Sequence, residues 1–117
     1  MIQAIIEKIR KNRQFDVEAG GLVITARRPT NLEMEELPRD GATIRNILST
    51  FVVDWNAREN DLIAGGTPEE VPFSTALFME WAEDRPEAWA PIISKIKDQY
   101  AEHKAKVESS LEKPEAG

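Results

Sequence analysis

The chain has 117 residues, 41% of them hydrophobic and 31% charged, enough for one domain that buries about two-thirds of its unfolded surface. Its formal charge of -6 argues against non-specific nucleic-acid binding, which needs clustered Lys and Arg. With no Cys, disulfides, thiolate nucleophiles and Cys-ligated zinc are excluded.

The first segment, MIQAIIEKIRKNRQ, spaces Ile2, Ile5, Ile6 and Ile9 among charges. That pattern predicts a short amphipathic helix. It has no continuous apolar core of the secretory-signal kind, and no run approaches the roughly 20 residues of a membrane span. The expectation is a cytosolic protein. In FDVEAGGLVITARRPT, Phe15 and Val17 alternate with polar residues before Gly20-Gly21, and Leu22, Ile24 and Ala26 alternate after it. This predicts a β-hairpin over about 15–28, with the Gly pair supplying the positive φ angles of a primed turn. Pro29 ends the second strand, and Thr30 with Glu33 forms a capping box for a helix over about 31–37. Pro38 to Gly41 reads as a turn.

From Ala42 the stripe Ile44, Ile47, Leu48, Phe51, Val52 and Trp55 predicts a helix over about 42–55. Gly65-Gly66, Pro68 and Pro72 then predict an irregular, mobile, acidic loop. Ser74 is the expected N-cap of a helix over about 75–83. Asp84 with Glu87 reads as a second capping box, opening a helix over about 86–107 that Pro91 should kink or divide. Residues 108–117 read as a disordered tail. The expected fold is a single compact domain over 1–107, mainly α with a small N-terminal β-hairpin, an α-rich α+β class.

Charge is uneven along the chain. Residues 1–30 carry six basic against three acidic side chains, and residues 31–90 carry four against thirteen. A basic end beside an acidic middle can orient self-association, although a solvated surface of uneven composition reads equally well.

Asp54, Asn56, Glu59 and Asp61 suggest a calcium loop, but the EF-hand pattern fails at Arg58, at Glu59 and at Gly65. The stretch reads as a joint between helices. His103 is the only His, so a multi-His site or a Ser-His-Asp triad has little to draw on. Neither Gly pair fits a phosphate-binding motif. The paired acids, such as Glu69 and Glu70, suit solvated helix ends better than acid–base catalysis. No metal, cofactor or catalytic residue is expected, and the chain reads as a non-enzyme. The informative side chains are aromatic: Trp55, Phe73, Trp81 and Trp89 bracket the loop and are core residues or contact anchors. Together with Ile2, Ile5 and Ile9 they are the candidate protein-contact residues.

The succession ARRPTNLE, VVDWN, VPFS and FMEWAEDRPEAWAPIISKI, at this order and spacing, resembles the tail assembly chaperones of long-tailed bacteriophages. The matching positions are Trp55-Asn56 at a helix end, Gly65-Gly66 in an acidic loop, Pro72-Phe73-Ser74 at a cap and Asp84-Arg85-Pro86 before the last helix. The resemblance covers roughly residues 14–100. It implies a non-enzymatic protein of the host bacterial cytoplasm, absent from the mature virion. Such a protein binds the tape-measure protein, keeps it soluble while tail-tube protein polymerises around it, and self-associates as a homo-oligomer. It also implies a short form to which frameshifting can add a C-terminal extension. Neither nucleic acid nor membrane is an expected partner. The alternative is an acidic nucleic-acid mimic or other small protein-binding inhibitor using residues 33–70.

Overall fold

The computed structural model describes residues 1–37 and 42–112. In chain order the elements are α1 (Ile2–Lys11), β1 (Gln14–Ala19), β2 (Leu22–Arg27), α2 (Asn31–Glu35), α3 (Ile44–Phe51), β3 (Val52–Trp55), α4 (Glu59–Leu62), α5 (Thr75–Ala82) and α6 (Pro86–Glu112). The architecture is helix-rich α+β, built on an antiparallel sheet of order β1-β2-β3.

The hairpin forms as its residues dictate. Ala19 pairs with Leu22, so Gly20 and Gly21 are the whole loop, at φ +59° and +81°. Alternation does the rest: Leu22, Ile24 and Ala26 face inward and are buried, while their neighbours are half-exposed. The helices α3, α5 and α6 close over this face. Phe78, Ile24 and Ile92 are the largest side chains fully enclosed there.

The helix expected over 42–55 is corrected by the structure. It ends at Phe51, and Val52–Trp55 is a third strand on the free edge of β2. The apolar stripe fits a helix as far as Phe51, but Val52 and Val53 are β-branched, and Val52 and Trp55 are buried with the half-buried Val53 and exposed Asp54 between them. Pairing satisfies the outer edge of β2, which the hairpin alone leaves open. Ala26 faces Val52 and Thr25 faces Asp54, so the ladder slips at Val53 as a bulge does.

Capping follows the sequence at two of three helices. The Thr30 hydroxyl accepts the Glu33 amide at 3.1 Å and the Glu33 carboxylate accepts the Thr30 amide at 3.0 Å. Ser74 accepts the Leu77 amide at 3.3 Å. At α6 the expected Asp84–Glu87 box is out of frame by one residue. The Trp89 amide donates to the Arg85 carbonyl, which makes Arg85 the N-cap. Pro91 does not divide α6, which runs unbroken for 27 residues. It sits in the second turn, where the only ladder bond it removes is the one to Glu87. The helix extends through Glu112 rather than stopping near 107. The remainder of the expected tail, and the expected turn over 38–41, lie outside the described residues. No described helix is long and apolar enough to cross a membrane.

Candidate interaction surfaces

Apart from the single turn of α4 and an isolated Arg58–Glu70 bridge, the stretch after β3 is irregular, as expected, but hydrogen bonds tie it down. Each side chain that suggested a calcium loop accepts a backbone amide: Asp54 that of Trp55 at 2.9 Å, Asn56 that of Val23 at 2.9 Å. Glu59 accepts from Thr67 at 3.1 Å, and Asp61 from Arg58 at 2.8 Å. Main-chain bonds run beside them, from Glu59 to Glu69 and from Asn60 to Thr67, both 2.9 Å. Of these side chains, Glu59 ties α4 to the passage at Thr67 and Asn56 ties the end of β3 to β2, whereas Asp54 and Asp61 bond within their own turns. Among the described residues no group of His, Cys, Asp or Glu is placed to hold a metal ion.

Of the candidate contact residues, the structure brings four together and leaves three apart. Trp55 meets Phe73 edge-on at 5.6 Å between ring centroids, and Trp81 edge-on at 6.3 Å. Its indole N–H donates to the Val71 carbonyl at 2.9 Å. Trp55 and Trp81 are therefore core residues, not exposed anchors, because the aromatic cluster encloses both. Phe73 and Trp89 are half-buried and pack against the same core. Ile2, Ile5 and Ile9 stand apart on α1, exposed at 77%, 50% and 49%. That helix buries none of its own residues.

Comparison with protein-family models, with curated proteins and with solved structures gave no match.

Two grooves flank the core, and sequence reasoning missed both because their walls come from distant elements. One lies between α2, α3 and α6, holds about 440 Å³ and has Ile47, Phe51, Ile96 and Tyr100 in its floor. Arg27 crosses its edge, with its guanidinium 4.7 Å from the centre of the Phe51 ring and paired to both Glu33 oxygens, at 2.8 and 3.0 Å. That pairing holds the Glu33 carboxyl down at about 2, against an ordinary 4.5, with burial opposing it. The second groove lies between α4 and α5, holds about 480 Å³ and includes Leu62, Val71 and Trp81.

The hairpin's open end carries positive charge. The Arg28 amide donates to the Arg13 carbonyl at 3.0 Å, so the two residues lie side by side. Partial burial lowers the His103 imidazole below its ordinary value, and Arg28, Lys106 and Arg13 lower it further. The basic end read from the sequence is thus a patch shared by the α1–β1 junction, β2 and the late turns of α6.

Proposed function

We propose that the chain is a non-enzymatic tail assembly chaperone that binds a tape-measure protein, and possesses the self-association typical of such proteins. The observation that carries this reading is α1, an amphipathic helix with an exposed Ile2/Ile5/Ile9 face and no buried residue. A monomer gains nothing from ordering such a face, whereas a protein that covers apolar helices in other chains needs one. The net charge of -6 suits the same task by keeping an apolar complex in solution. The motif order from Ala26 to Ile96 supports the family assignment, and the host bacterial cytoplasm is the compartment it implies.

Co-expression with the tape-measure protein of the same genome tests the reading. A complex that is soluble only when both chains are made together, and that survives high salt, is the expected result. An insoluble tape-measure protein beside a freely eluting chain sinks it. Capture of a basic DNA-binding protein that high salt releases would instead favour the acidic-mimic function.

A further inference from the structure

We propose that α1 of one copy seats in the groove between α4 and α5 of a second copy, joining chains head to tail. This interface rests on the self-association stated above and is independent of any tape-measure client.

The two surfaces match in both polarity and charge. On α1, Ile2, Ile5 and Ile9 form one stripe, and at 100° per residue Lys8 and Arg10 fall on its opposite flanks. Neither cation has an ion-pair partner among the described residues. The groove has an apolar floor of Leu62, Val71 and Trp81, and two apolar lips, Ile63 and Leu77, that are exposed at 63% and 37%. Glu80 and Asp84 line the same groove and are likewise without ion-pair partners among the described residues. The groove's charged lining is Glu80 and Asp84 on the α5 side, Glu59 on the α4 wall and Arg85 stacked over Trp81, three acids against one cation. An apolar stripe with basic flanks therefore faces, in a second copy, an apolar groove that is acidic on balance. Burial of the stripe supplies affinity, and the charges supply direction and register.

The geometry places the two surfaces at opposite ends of the sheet. Trp81 lies against the hairpin turn, since a Cβ on Gly20 would stand 2.8 Å from its ring. α1 enters β1 at the open end, six strand residues away, a separation of roughly 20 Å. One chain thus presents the donor helix at one end and the acceptor groove at the other. Such a heterologous contact makes rings where the rotation closes and filaments where it does not.

A charge-exchange experiment on the full chain tests this, read by light scattering with thermal melting as the folding control. Lys8→Glu with Arg10→Glu gives one variant, and Glu80→Lys with Asp84→Lys gives the other. Each alone is expected to elute as a single chain with a wild-type melting midpoint, because all four positions are exposed. Mixing the two restores a basic helix opposite an acidic groove, and the reverse pair, so the mixture is expected to regain the wild-type mass. Ile5→Ser with Ile9→Ser should abolish association of the otherwise wild-type chain and, carried by both charge variants, should abolish the recovery on mixing. Variants that associate as well as wild type, or a mixture that stays monomeric, overturn the interface while leaving self-association standing. A wild-type chain that is monomeric at every concentration overturns both.

Discussion

Asn56 and Val23 are joined by two hydrogen bonds, one from each backbone amide. The Val23 amide donates to Asn56 Oδ1 at 2.9 Å, and the Asn56 amide donates to the Val23 carbonyl at 3.2 Å. The Asn56 side chain thus takes the place of a backbone carbonyl and carries the β2–β3 ladder one step beyond Trp55. Asn56→Ala should destabilise the chain by about 0.5–1.5 kcal/mol, the net worth of one such bond. The site is exposed, so water takes up the freed amide and the low half of that range is expected. Asn56→Asp keeps an acceptor and should lose less. Denaturant midpoints for the two variants, at unchanged slope, make the comparison; equal midpoints for Ala and wild type would mean the side chain is idle.

Gly20 sets how closely the hairpin approaches the helices. A Cβ there would lie 2.8 Å from Trp81 Cη2 and 2.9 Å from Ala88 Cβ, whereas a Cβ on Gly21 meets nothing within 4 Å. Both residues have positive φ, so Ala at either position carries about 1–2 kcal/mol of backbone strain. Only Gly20→Ala adds overpacking against a buried indole, worth about 1–3 kcal/mol more. Thermal unfolding of the two variants should therefore separate them clearly, with Gly20→Ala the less stable. Matching losses would show that the turn moves away from Trp81 at no cost.

What the sequence made legible is what neighbouring residues decide. The Gly20-Gly21 turn, the Thr30–Glu33 box and the Ser74 cap each depend on three or four consecutive positions, and each formed as read. The strand Val52–Trp55 was hidden because its residues continue the helical stripe of α3, and only the edge of β2, some 26 residues earlier in the pairing of Ala26 with Val52, selects a strand. The Trp55-Asn56 pair reads as a helix end in the sequence; its use as a strand end needs Val23 beside it. Asp54 and Asp61 bond to amides one and three residues away, whereas the acceptor roles of Asn56 and Glu59 are hidden because their partners, Val23 and Thr67, are distant or follow an apparent loop. Both grooves are invisible for the same reason. The apolar face of α1, by contrast, is legible in the spacing of Ile2, Ile5 and Ile9, while its exposure is decided by the rest of the fold, which leaves it uncovered.

The Arg27–Glu33 pair makes stability depend on acid. The Glu33 carboxyl titrates at about 2 in the folded chain, chiefly through its hydrogen bonds from Arg27, against an ordinary 4.5. A depressed folded value means the contribution is complete above 4.5 and is lost as pH falls from there toward about 2. Glu33→Gln should accordingly be less stable than wild type at neutral pH, and the gap should narrow through that window. Carboxyl NMR on Arg27→Gln should show the Glu33 midpoint rising toward its ordinary value. A gap that stays constant with pH would show that the carboxylate's charge is not what is lost, and the Thr30 cap would not account for it either, since a neutral Gln still accepts that amide.

Gly66 controls whether the passage from Ala57 to Val71 stays closed on itself. A Cβ on Gly66 would stand 2.9 Å from both the carbonyl carbon and the oxygen of Glu59, which are backbone atoms and cannot turn aside. The neighbouring Gly65 has φ +82° and open space around it, so Ala there meets strain but no collision. Gly66→Ala must push the two passages apart and weaken the bonds from Glu59 to Glu69 and from Asn60 to Thr67. Hydrogen exchange at the Glu59 and Asn60 amides should then accelerate, while amides of β2 and of α6 near Ile92 keep their protection. Exchange that rises everywhere would place this segment in the global folding unit. Local acceleration alone would separate the α4 region from the core, and with it one wall of the groove that Leu62 and Ile63 form against α5.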